Sequence, residues 1–117
     1  MAAPRAGYAG FERYDTLARK AAALIYSVAK GHVCPNGNKR LAFILAATFL
    51  VKNERWLWAP RDEVIDRVEG VAASDPRQID AVKEALATWI QSRLIDLPDA
   101  HVRIQAGLQP GEEAHAT

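Results

Sequence analysis

Within KGHVCPNGNKRLAF, residues 30 to 43, the residue types that handle phosphate stand close together. His32 titrates near neutrality and suits a general base. Gly37 lets the backbone approach an anion, and Asn38 can bond a phosphate oxygen or fix the loop. Lys39 and Arg40 place two cations at the start of an apolar run, where a helix's own dipole disfavours them. The unpaired N–H groups of a helix start favour an anion, and phosphate is a common one. Cations poorly placed for the helix but well placed for an anion describe a phosphate cradle with a proton acceptor beside it.

Such a loop needs two rigid stems. After Thr16, the residues Leu17, Ala21, Leu24, Ile25 and Val28 recur on one helical face, and Gly31 is a natural stop. Asn38 to Asn53 reads as a second helix. It is apolar on almost every side and is expected to be central and buried. RWLWA, residues 55 to 59, reads as extended, with Trp56 and Trp58 in the core rather than on a docking edge. Pro60 suits the first turn of a third helix, whose stripe is Val64, Ile65, Val68, Val71 and Ala72. SDPRQ opens a fourth helix, with Asp75 as cap, Pro76 at the first position and Gln78 placed as in a capping box. Its inner face is Ile79, Val82, Leu86, Trp89 and Ile90.

The pattern predicts an all-α domain over residues 1–97. Residues 1–15 read as an irregular arm whose aromatics, Tyr8, Phe11 and Tyr14, pack onto it. Pro98 ends the regular pattern, and residues 98–117 read as a flexible tail. His101 and His115 lie there without ligand spacing. The length of 117 residues suits one domain with a modest core. A formal net charge of +1 gives no bulk argument for nucleic acid or membrane as partner. The longest uncharged run, Leu41 to Val51, falls short of the roughly 20 residues a bilayer span takes. Cys34 is the single cysteine, which fits a reducing, cytoplasmic setting and is expected to be core rather than nucleophile.

The motif resembles that of the Fic/Doc family, His-x-Phe-x-Asp/Glu-Gly-Asn-Gly/Lys-Arg at a helix-loop-helix joint. His32, Gly37, Asn38, Lys39 and Arg40 match at the family spacing. YDTLARKAAALIYSVAKGH before the motif and LAFILAATFLVKNERWL after it are similar to the Doc, or death-on-curing, branch. The likeness covers roughly residues 5 to 96. It implies a helical bundle with the motif loop before the central helix. It also implies a bacterial toxin held by a small antitoxin protein. Doc-like members are kinases that phosphorylate a threonine of elongation factor Tu, using ATP and Mg²⁺. By that resemblance His32 takes the proton of the target hydroxyl, and Gly37, Asn38, Lys39 and Arg40 hold ATP phosphates. Such transfer depends mainly on positioning and charge neutralisation.

Four positions depart from the pattern. Cys34 stands where the family has Phe, and Pro35 stiffens the loop. Asn36 replaces the acidic residue that binds Mg²⁺ and offers a carbonyl oxygen without charge. Phe43 stands where many Fic enzymes have a second Arg, which argues against AMP transfer, as does Lys39. The amino end also reads as short by one family helix. Three functions remain open at this point: a Doc-like protein kinase, a catalytically impaired relative that works by binding, and an AMP transferase.

Overall fold

The computed structural model describes residues 16–31 and 38–112. The amino-terminal arm lies outside the described residues. In chain order the elements are α1 (Leu17–Lys30), α2 (Asn38–Lys52), β1 (Arg55–Leu57), α3 (Arg61–Ala73), a 3₁₀ turn (Pro76–Gln78), α4 (Ile79–Arg93), β2 (Leu94–Asp96) and α5 (Leu97–Gln105). The class is all-α, with one two-stranded ribbon among the described residues.

Thr16 starts α1 by accepting the Arg19 N–H at 3.1 Å on its hydroxyl, which satisfies one orphan donor of the first turn. The helix buries Ala18, Ala21, Ala22, Ala23, Ile25, Tyr26 and Ala29. Of the expected stripe only Ala21 and Ile25 are buried, while Leu17, Leu24 and Val28 are half-buried; the covered face lies over the alanines and Tyr26. With so many small side chains, α1 can lie close to several neighbours at once, and it packs against α2, α3 and α4. Gly31 does end the helix, but with φ −78° and ψ 172° rather than in a left-handed cap. Its N–H bonds the Val28 carbonyl instead.

The expectation of a fully buried α2 needs correction. Only Ala42, Ala46 and Leu50 are buried, while Ile44, Leu45 and Val51 are exposed. An apolar composition on all sides does not decide burial when neighbours cover one face only. The helix ends in a turn whose left-handed residue is Glu54 (φ 59°), not Asn53, whose side chain donates to the Phe49 carbonyl at 2.8 Å.

β1 and β2 pair antiparallel, with Arg55 opposite Asp96, Trp56 opposite Ile95 and Leu57 opposite Leu94. Trp58 is buried as expected, and its indole N–H donates to the Glu112 carbonyl at 2.8 Å. Pro60 precedes α3 as its N-cap rather than occupying its first turn. Asp75 accepts the Arg77 N–H at 2.9 Å and opens a 3₁₀ turn, and α4 begins only after it. Gln78 makes no capping hydrogen bond, so no capping box forms. On α4 the residues Leu86, Trp89 and Ile90 are buried, whereas Ile79 is exposed at the edge.

The irregular tail expected from residue 98 onward is also corrected. Pro98 lies in the first turn of α5, where its missing N–H costs nothing. Arg103 stacks over the Trp58 ring at 5.3 Å and holds this helix to the ribbon end of the domain. Gly111, at φ 93°, passes so close to Pro60 that an added Cβ would sit 2.4 Å from its Cδ.

Candidate functional site

α1 and α2 are joined across residues 32–37, so the end of one and the start of the other are the stems of the motif. Asn38 is the first residue of α2, and its Nδ2 donates to the Gly31 carbonyl. The side chain read as a phosphate ligand or loop fixer thus ties the two stems together. Lys39 and Arg40 are both exposed in the first turn, which contains no acidic residue. The Lys39 ammonium lies 3.9 Å from Glu69 of α3, with both side chains more than half exposed, so the pair is weak. Arg40 has no ion-pair partner among the described residues and stands open to solvent.

The C-terminal end of α3 meets the same corner. Lys30, in the last turn of α1, donates from Nζ to the carbonyls of Ala72, at 3.4 Å, and Ser74. Ser74 returns its hydroxyl to Val71 O at 2.7 Å. Arg77 hydrogen bonds hold the Asp75 carboxyl below its usual range, first through the side chain and then through the backbone. The nearby Lys30 charge adds to this against a small opposing effect of burial. Sequence reasoning missed Lys30 and Glu69. Lys30 stood off the apolar stripe at a helix end, which is a weak signal, and nothing in the sequence pointed to its partner helix.

His32, Cys34, Pro35, Asn36 and Gly37 lie outside the described residues. Phe43 faces inward. It lines an apolar cavity of about 10 Å³ with Ile25, Leu50, Val68, Trp89 and Ile90.

The described donors fit a polyphosphate. The first turn of α2 carries one ammonium and one guanidinium and no carboxylate, at the helix end that favours an anion. No group of three or more His, Cys, Asp or Glu able to hold a metal occurs among the described residues. Also among the described residues, no helix is long and apolar enough to cross a membrane.

A profile of the Fic/DOC family matches residues 2–50. A protein named Toxin Doc from Mycolicibacterium smegmatis (strain ATCC 700084 / mc(2)155) is 38% identical over 90 aligned residues, with 74% of this chain and 68% of the relative covered. No solved structure matches. The chain belongs to the Fic/Doc family, on its Doc branch.

Proposed function

We propose that this protein is a Doc-type bacterial toxin that transfers the γ-phosphate of ATP to a hydroxyl on a protein target, elongation factor Tu being the first to test. The carrying observation is the first turn of α2, where Lys39 and Arg40 stand exposed without a carboxylate on that turn. The name of the Mycolicibacterium relative supports the toxin reading and, with it, a small antitoxin partner in the cytoplasm.

In this reading His32 accepts the proton of the target hydroxyl. The hydroxyl oxygen bonds the γ-phosphorus, the bond from that phosphorus to the β–γ bridging oxygen breaks, and ADP leaves. Lys39 and Arg40, with the Gly37 backbone, hold phosphate oxygens and offset their charge. Asn38 keeps the α2 start against the end of α1. Mg²⁺ would neutralise and orient the phosphates, with Asn36 as the residue nearest to a protein ligand.

The test is label transfer with Mg²⁺, purified protein and elongation factor Tu, using ATP labelled on the γ- or the α-phosphate and His32→Ala as control. Label from γ alone, lost in the control, is expected. Label from α would make the protein an AMP transferase, a reading that Phe43, in place of the second Arg of many Fic enzymes, disfavours. No label from either would favour a binding protein without turnover, the reading that Asn36 motivates.

A further inference from the structure

α3 ends at Ala73, and a helix leaves its last carbonyls without partners of its own. Here Val71 O is met by the Ser74 N–H at 3.1 Å and the Ser74 hydroxyl at 2.7 Å. The carbonyls of Ala72 and Ser74 are met from another helix, by the Lys30 ammonium. A cation at the C-terminal end of a helix is also where the dipole favours it. Lys30 is half-buried, so this contact is less screened than the exposed Lys39–Glu69 pair. The footing joins directly to the motif. Lys30 precedes Gly31, and the Gly31 carbonyl accepts the Asn38 amide that starts α2.

We propose that Lys30 is a positioning residue: by fastening the end of α1 to the terminal carbonyls of α3, it fixes the end of α1 relative to the first turn of α2. Its consequence for catalysis rests on the transfer reaction proposed above, but the anchoring itself does not. A residue that only capped α3 would loosen the last turn of α3 and leave the two stems unchanged. A positioning residue acts at the two stems and on turnover.

The variants are Lys30→Met, which keeps stem length without donors, Lys30→Arg, which keeps charge and donors, and Lys30→Gln, which keeps one donor group without charge. The first readout is hydrogen–deuterium exchange of the folded proteins. Lys30→Met is expected to speed exchange in the last turn of α1 and the second turn of α2 by about five-fold, with α4 unchanged. Lys30→Arg should restore most of the protection. If Lys30→Met does not fold, Lys30→Gln is expected to show a smaller rise at the same two stems, since its one donor group can keep part of the contact. Unchanged exchange at the stems, or an equal rise in every helix, would overturn the proposal. The second readout is label transfer. Lys30→Met is expected to lower kcat about ten-fold while KM for ATP stays within about two-fold, since small misplacements of reacting groups are costly. A wild-type protein without transfer would defeat the proposed reaction, while the exchange result would still decide the anchoring.

Discussion

The Asn38 side chain donates to the Gly31 carbonyl and so joins the residue that opens α2 to the residue that closes α1. One amide spans the motif at its base.

This bond separates two roles of Asn38. Asn38→Ala is expected to lower stability by about 1 kcal/mol, the usual worth of such a bond, and the melting temperature by about 4 °C. Asn38→Asp cannot donate to Gly31 either, but it puts a carboxylate at a helix start, where the dipole favours it. It should melt higher than Asn38→Ala yet bind ATP more weakly. Thermal melts and ATP titration check both. Equal ATP affinity in the two variants would refute the phosphate site at this turn.

Lys39 and Arg40 cost the fold little. Their side chains are exposed, and the Lys39–Glu69 pair is worth no more than about 0.5 kcal/mol. Lys39→Ala and Arg40→Ala are expected to leave the melting temperature within about 2 °C and to weaken ATP binding by about ten-fold each, as loss of a charge-assisted contact does. Isothermal titration at low and high salt checks this, with the larger effect expected at low salt.

Stability should fall in acid partly through Glu63. Its carboxylate accepts from the Trp89 indole and from Arg93, the latter at 2.7 Å. The Trp89 bond is the main cause of a pKa below the ordinary 4.5. Burial opposes it, and Arg93 and Arg67 add to the lowering. A lowered folded-state pKa means that the stabilisation is complete above the unfolded value and is lost as pH falls through the folded one. Glu63→Gln is expected to cost about 1–2 kcal/mol at pH 7, with the gap to wild type closing below about pH 4. Melts across pH 7 to 3 measure it, and a gap constant with pH would remove Glu63 as the cause.

Gly111 has no room for a methyl group. Its φ of 93° and the 2.4 Å approach to Pro60 Cδ both oppose alanine. Gly111→Ala is expected to cost about 1–3 kcal/mol, as strain at such a position does. It should also loosen the bond from the Trp58 indole to Glu112 O. A red-shifted tryptophan emission with a lowered melting temperature is the expected signature.

Much of the bundle was legible in sequence, because periodicity and end signals act locally. Thr16, Asp75 and Trp58 do what their types suggest. Burial of α2 was not legible, since which sides of a helix are covered depends on neighbours that the sequence does not order. The helix after Pro98 was missed because a proline reads alike as a stop and as a first-turn residue. For the site, the cations of the α2 start were read from their spacing. Lys30 was not, because its partners are backbone carbonyls 42 and 44 residues away, and a carbonyl leaves no mark on the sequence.

The two stems pack against each other and bring many methyl groups to one core: Ala18, Ala21, Ala22 and Ala29 of α1 and Ala42 and Ala46 of α2 are all buried in the same cluster. Alanine has no side-chain rotamers to lose, so at these positions ordering costs backbone entropy alone. The same fact removes a means of adjustment. Long side chains absorb a neighbour's shift by changing rotamer, and alanines cannot. A displacement of α1 must be carried by the helix as a rigid rod, and its far end, at Gly31, moves with it.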